Sequence, residues 1–397
     1  MSGKPFYVNN HIHTVYSFSP FTPSQAARQA KLSGLATAGI MDHDSVSGAE
    51  EFLAACRREG IAGTVGFECR CSLAGAPYAD TRVNNPDQSG VAYVACHGIP
   101  RAGFKPAAEW LAPYRAHREE RNRRMVDRLN DTCADERFKL SYDNDVRPLS
   151  MAGQGGSVTE RHICYALTLK LIGRAGAGEP LKTALEEAFG LRFTGKNEAA
   201  LLNSSDPHYA YRVLGVLKSS LVERFYVDAD RECPHITEFV EFTHSIGAVA
   251  AYPYLGDVGD SVTGDKKAQA FEDSYLDGLI GYIKGIGFDA VTYMPTRNTL
   301  SQLQRLMSLC VENRLFQISG EDINTPYQPF ICEKLALPEF LRLTDAAWAL
   351  IGHERASDAD PTMGMFGERA KAALPSLDDR AAMYATMGKI TMLDYKE

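Results

Sequence analysis

His11 and His13 follow the apolar stretch Phe6 to Val8. On a strand, residues two apart point to the same side, so both imidazoles could grip one ion. Alone, such a pair is commonly a solvent-facing feature. The argument for metal chemistry comes from ligand-type residues recurring where later apolar runs end. Ala36 to Met41 leads into Asp42-His43-Asp44, Ile61 to Phe67 into Glu68, Val91 to Cys96 into His97, and Phe316 to Gly320 into Glu321-Asp322. Each group sits where a strand would hand over to a loop. In a barrel of alternating strands and helices those ends meet on one face, the face that carries the active site.

The elements that must position these residues are marked by their punctuation. Thr22 is a plausible N-cap with Pro23 in the first helical turn, the helix runs to Leu32, and Gly34 closes it. A second helix is expected from the capping box Ser47-Gly48-Ala49-Glu50 to Gly60, giving β-α-β-α-β over the first hundred residues. Leu73 to Gly90 breaks into a loop rich in turn residues, long enough to be functional. From Lys105 to Cys233 the pattern is mainly helical, with helices expected at Tyr114 to Asn130, Glu160 to Leu171, Leu181 to Phe189 and His208 to Leu217. The first of these carries six arginines, read as a solvated face. Alternation resumes near His235, with helices at Ile236 to Ser245, Ala268 to Lys284 and Leu300 to Asn313. These lead to strands at Ala248 to Tyr252, Ala290 to Tyr293 and Phe316 to Ser319.

This divides the chain into an α/β barrel from 1–104 and 235–335, a mainly helical insertion or lid from 105–234, and a helical C-terminal extension from 336–397, read as packing or oligomer contact. The formal charge of −8 argues against broad binding to nucleic acid or anionic membrane. Nine cysteines without zinc-finger spacing suit reduced thiols, and Cys69 and Cys71 read as small buried strand residues. With no basic, apolar leader and no run near ~18 uninterrupted apolar residues, the expectation is a cytoplasmic protein outside the membrane.

The arrangement resembles the polymerase and histidinol phosphatase (PHP) family of metal-dependent phosphoesterases. The matching text is His11-Ile12-His13-Thr14, Gly39 to Gly48 with Asp42-His43-Asp44 inside it, Val65-Gly66-Phe67-Glu68, His97-Gly98, Arg161-His162, Ala251-Tyr252-Pro253 and Ser319-Gly320-Glu321-Asp322. The resemblance implies a distorted seven-stranded β/α (TIM-like) barrel with up to three divalent ions at its strand ends, and hydrolysis of phosphate esters. It places His11, His13, Glu68 and Asp322 on a first ion. Glu68 and His97 would hold a second, with a histidine where this chain has Tyr252. His43 would hold a third, with an aspartate where this chain has Phe18 and a histidine where it has Asn324.

Three implied ligands are therefore absent, two of them on one ion. The expectation is one well-formed site, a weakened second and no normal third. Tyr252 could still contribute through phenolate or water, and Asp257 could reach inward. Imidazole mixed with carboxylate suits Zn²⁺, Mn²⁺ or Fe²⁺ better than Ca²⁺ or Mg²⁺. In the expected chemistry a metal-activated water attacks phosphorus, Glu68 bridges or orients the ions, and His43 is the acid for the leaving group. Arg161 and His162 hold the phosphate, unless they merely begin a helix, and Tyr252 and Asn324 line the substrate. Asp42 and Asp44 are expected to orient ligands or to form turns rather than to ligate. His117, His208, His235, His244 and His353 have no such company. The leading reading is a hydrolase of a small phosphorylated metabolite or nucleotide. The alternatives are a nuclease that tracks a 5′ end along Arg115 to Arg128, and a non-hydrolytic binding protein with a depleted cluster.

Overall fold

Apolar runs closed by glycine and polar turns form the first strands. The computed structural model of the protein describes residues 7–258 and 272–394. β1 (Tyr7–Ile12), β2 (Leu35–His43) and β3 (Ala62–Ser72) are parallel, with α1 (Pro23–Leu32) and α2 (Ala49–Glu59) as crossovers. Thr22 caps α1 in a reciprocal box with Gln25, and Gly60 closes α2 in the left-handed region at φ +67°. The capping box expected at Ser47 does not form. Gly48 takes the cap position, and the Ser47 and Ser45 hydroxyls instead donate to the Gly155 carbonyl at 3.1 and 2.7 Å.

β4 (Val91–His97) reverses direction. It runs antiparallel to β3 on one side and to β5 (Val249–Pro253) on the other. Between them lie α3 (Phe104–Asp131), α4 (Glu160–Ala175), α5 (Glu179–Phe189), α6 (Gly195–Leu202), α7 (Tyr209–Phe225) and α8 (Ile236–Ser245). Parallel pairing resumes through α9 (Leu276–Gly285), β6 (Ala290–Tyr293), α10 (Leu300–Glu312) and β7 (Phe316–Ser319), completing a seven-stranded sheet in sequential order. Of the helix expected from Ala268, the part up to residue 271 lies outside the described residues.

The sheet curls into a nearly closed barrel. Ile12 bridges Ile323, the His13 N–H donates to the Ile323 carbonyl at 2.9 Å, and the Ile323 N–H donates to His11 at 3.1 Å. That seam brings the segment after β7 against the end of β1.

Two apolar cores flank the site. One joins the barrel to its crossover helices and the other lies among α3, α4, α5 and α7. α3 belongs to both, through Ala107 and Leu111 at one end and Met125, Val126 and Leu129 at the other. The C-terminal helices α11 (Leu341–Ala359), α12 (Glu368–Ala373) and α13 (Leu377–Asp394) are more than a peripheral extension. α11 packs Trp348, Leu350 and Ile351 against Met41, Ala95, Ala251, Ala290 and Ile318 from five strands, so it plugs the barrel. Its Glu354 accepts from the Thr64 hydroxyl at 2.5 Å and the Val65 N–H at 2.9 Å. α13 reaches α11 through glycine, because a Cβ on Gly352 or Gly388 would meet the other helix's carbonyl oxygen at 2.0 Å.

Candidate metal centre

Register alone brings the central carboxylate to its partners. Glu68 pairs with His43 on β2 and with Ala95 on β4. It lies within β3 rather than at its end, because the hairpin with β4 prolongs the strand to Ser72. Its Oε1 is 3.6 Å from His11 Nε2, 3.4 Å from His13 Nε2 and 3.1 Å from His43 Nδ1. The His11 and His13 rings meet edge to face at 5.1 Å, and His43 stacks on His13 at 5.0 Å. Asp322, delivered by the seam after β7, lies 3.1 Å from His13 Nε2. One donor atom each from His11, His13 and Glu68 falls within 4.8 Å of the others, the spacing and chemistry of a metal-holding group.

A chain of hydrogen bonds aims this group. Buried Asp42 accepts from the Thr14 N–H at 2.7 Å, the Thr14 hydroxyl at 2.6 Å and the Ser17 hydroxyl at 2.6 Å, and Ser17 Oγ lies 3.1 Å from His13 Nδ1. Fixing one imidazole nitrogen leaves the other for a ligand position. Asp44 sits at φ +51° beyond β2 and pairs with Arg118 instead.

Electrostatics favour a cation here. Burial alone would raise the Glu68 carboxyl, yet His43, His11 and His13 hold it down to about 2. Burial opposes charge on His13, but the hydrogen bond and charge of Asp322 outweigh it and raise His13 to about 9. Burial, aided by the charges of His13 and Arg118, pushes His43 down to about 3.

β4 changes the place of His97. Because the strand runs downward, His97 aligns with Val249, the first residue of β5, while Ala95 is level with Glu68. His97 therefore lies one layer beneath the cluster, 1% exposed, and feels the charges of His11 and Glu68. Its Nε2 is buried without a hydrogen-bond partner among the described residues, an atom that an ion shared with Glu68 would satisfy.

Other expected site residues divide. Arg161 and Asn324 line the cleft with His11, His43, Glu68 and Asp322, and the Asn324 amide donates to Asp322 at 2.8 Å. His162 does not line it. Its Nδ1 accepts from the Thr159 N–H at 3.0 Å as the helix cap, and its ring meets Phe18 at 4.9 Å, so its phosphate role is withdrawn. Tyr252 is likewise withdrawn. Its neighbour Pro253 lines the cleft, whereas the Tyr252 hydroxyl donates to Glu272 at 2.6 Å among core residues, and burial beside that carboxyl pushes the phenol well up, away from phenolate. Asp257 does not line the cleft either; its N–H donates to Asp273 at 3.2 Å. Phe18 packs on His162, Tyr165 and Tyr211 in the helical core.

The arginine-rich face of α3 is corrected in part, since Arg123, Arg124 and Arg128 are exposed as expected and two others are not. Arg118 and Arg121 are 2% and 1% exposed. Arg121 reaches Glu160 and Glu232, both at 2.6 Å, and Arg70 on β3 reaches the same two carboxylates at 2.7 and 3.1 Å. Arg118 contacts Asp44 and Glu232. Three guanidiniums and three carboxylates thus lock α3, α4 and the barrel mouth together. The signal was legible as a stripe: Leu111, Arg118, Asn122, Met125 and Leu129 recur at helical spacing and are all buried. Sequence reading also passed over Asn84, Tyr93, Lys218 and Arg297, which line the cleft. Asn84, in the long loop after β3, is held there by donating to Tyr93 and Pro253 at 2.9 and 2.7 Å.

The histidines set aside serve structure where their partners are visible. His235 caps α8, His244 pairs with Asp289 at 2.8 Å, and His353 accepts from the Met365 N–H at 2.9 Å. Cys69 and Cys71 are buried, their sulfurs 4.0 Å apart. No helix among the described residues is long and apolar enough to cross a membrane.

Fold and site together define a seven-stranded α/β barrel with a histidine–carboxylate group at its mouth. Residues 9–119, spanning β1 to the first half of α3, match the PHP domain family. No curated protein sequence matches. Among solved structures, the fold is similar to that of a Bifidobacterium adolescentis protein named as a metal-dependent phosphoesterase. The identity is 19%, the TM-score 0.56, and the match covers 87% of this chain and 97% of that one. An amidohydrolase from Chromobacterium violaceum, with bound sulfate and no metal, is similar at 16% identity and a TM-score of 0.53, over 82% of this chain and 90% of that one.

Proposed function

We propose that this chain is a divalent-metal-dependent hydrolase of phosphate esters of small molecules. The observation that carries the reading is the convergence of His11, His13, Glu68 and Asp322 at the base of a cleft that Arg161, Lys218 and Arg297 also line. Its coarser part, a metal-dependent hydrolase, is supported by the PHP match and by the names of the two structural neighbours. The phosphoester part is supported by the cationic side chains, and the small substrate by a cleft of about 190 Å³.

His11, His13, Glu68 and Asp322 would hold the first ion, and Glu68 with His97 a second. Zinc, manganese or iron fits that donor set. When bound, such an ion supplies Lewis-acid charge and activates water. The rest is done by the chain. Asp42, through Ser17, keeps the His13 ring oriented, and Asn324 fixes Asp322. Arg161 offers a forked donor to phosphate oxygens. His43, 3.1 Å from Glu68 and lining the cleft, is placed for proton transfer to the leaving group.

On the helix first suspected of tracking nucleic acid, Arg118 and Arg121 are spent on buried carboxylates, while Arg123, Arg124 and Arg128 stay exposed. The test is turnover of a panel of phosphomonoesters, phosphodiesters and amides by protein loaded with Mn²⁺, Zn²⁺ or Fe²⁺. Phosphoester turnover that a chelator abolishes is expected. Turnover of amides alone, or of nothing by metal-loaded folded protein, overturns the reading.

A further inference from the structure

We propose that Tyr93 donates the hydrogen bond to the oxygen that leaves when the substrate's P–O bond breaks, an inference that rests on the phosphoesterase reading above. Tyr93 and Glu68 reach the same mouth from paired strands: Tyr93 is opposite Arg70, and Ala95, two residues on, is opposite Glu68. Tyr93 lines the cleft, and its ring centroid lies 5.9 Å from that of His43.

The hydroxyl is set up as a donor by what it accepts. Arg70 directs both Nε and Nη2 at the Tyr93 oxygen, at 3.1 and 3.0 Å. A phenol oxygen has two acceptor positions and one proton. With two N–H groups of one guanidinium converging on the oxygen, the proton turns elsewhere, and among the described residues no acceptor receives it. Arg70 itself cannot swing, because Glu160 and Glu232 hold its other edges at 2.7 and 3.1 Å, and it is 2% exposed. A donor polarised by a fixed cation, on a residue that lines the cleft, costs no reorganisation when negative charge develops on the departing oxygen. Hydrolysis otherwise proceeds as the oxygen of water forms a P–O bond while the ester P–O bond breaks; the protons of that water pass to the phosphate and solvent, and the departing oxygen takes its proton, through His43 or from solvent, to become the alcohol. Tyr93 stabilises the leaving oxygen through the hydrogen bond and keeps its proton.

The experiment compares two esters of similar size and different leaving groups. In Tyr93→Phe, turnover of benzyl phosphate, whose alkoxide needs a donor, is expected to fall about 30-fold or more, with 4-nitrophenyl phosphate changed by less than about threefold. Equal losses on both esters mean that Tyr93 merely braces Arg70 and overturn the inference, as does no loss on either. Difluorotyrosine at position 93 keeps the donor and restores benzyl phosphate turnover; failure to restore it, in protein that melts like wild type, also overturns it. Wild-type protein inactive on both esters and on the wider panel removes the proposed function, and this inference with it.

Discussion

The two sides of the barrel mouth began as equivalent strings of strand-end ligands and became different surfaces. On the β1–β3 side, three parallel strands and the seam after β7 bring His11, His13, His43, Glu68 and Asp322 together. On the β4–β5 side, one reversed strand sinks His97 below the cluster, and β5 presents Pro253 to the cleft while Tyr252 turns to Glu272. Both sides contain the residue types of the motif. Strand direction and the two-residue period of the pleat decide which reach the site. The consequence is a lopsided centre, strong on one side and dependent on a single buried imidazole on the other.

Predictions follow this asymmetry from its strongest side. Glu68→Gln, which removes the carboxylate that all three histidines share, should lower turnover on the order of a thousandfold with the fold retained, as read by kinetics beside circular dichroism. Retention of most activity would mean that the loaded side is not where the chemistry occurs.

Phe18→Asp is the substitution that would restore an expected third-ion ligand. In this fold it should instead cost about 3 kcal/mol or more, since it deletes a ring packed on His162, Tyr165 and Tyr211 and buries a carboxylate. Thermal melting and metal analysis check both parts: a lowered melting temperature and no added ion.

The floor beneath both sides carries a pH signature. Burial raises Glu354 from an ordinary 4.5 to about 8, despite the Thr64 and Val65 hydrogen bonds. Between those values the native state keeps a proton that the unfolded chain releases, so stability is full below about pH 4.5 and declines as pH rises toward 8. The decline should amount to about 2 kcal/mol or more by denaturant titration, and Glu354→Gln should flatten it. A wild-type stability that rises over that window contradicts the buried, protonated Glu354.

On the weaker side, Tyr252→Phe should leave turnover within about twofold while costing about 1 kcal/mol, because only the hydrogen bond to Glu272 is lost. A large loss of turnover would return Tyr252 to the site.

The contrast also explains what the sequence could reveal. The α1 cap at Thr22-Pro23, the span of α8 and the cluster of His11, His13 and Glu68 follow from local signals that tertiary packing did not override. Strand direction left no local mark, so Val91 to His97 read like any other strand and the level of His97 was hidden. Tyr252-Pro253 placed the motif on the right strand, but alternation chose the second residue for the cleft. Arg118 and Arg121 looked solvated because their partners, Glu160 and Glu232, are far along the chain. Arg70 was within reach of sequence reasoning, being two residues beyond Glu68 on one strand face. The role of α11 had a signal too, since Ala346 to Gly352 is apolar without a polar face, the pattern of a helix buried all round rather than packed on a surface.

The central claim is that the loaded side of the mouth holds divalent metal. Titration of apo protein with Mn²⁺ or Zn²⁺ in a calorimeter, run in parallel on wild type, Glu68→Gln and Tyr252→Phe, tests it most directly. One tight ion in wild type with a weaker second is expected, with the same pattern in Tyr252→Phe and loss of both in Glu68→Gln. Undiminished binding by Glu68→Gln, or no binding by folded wild-type protein, would contradict it.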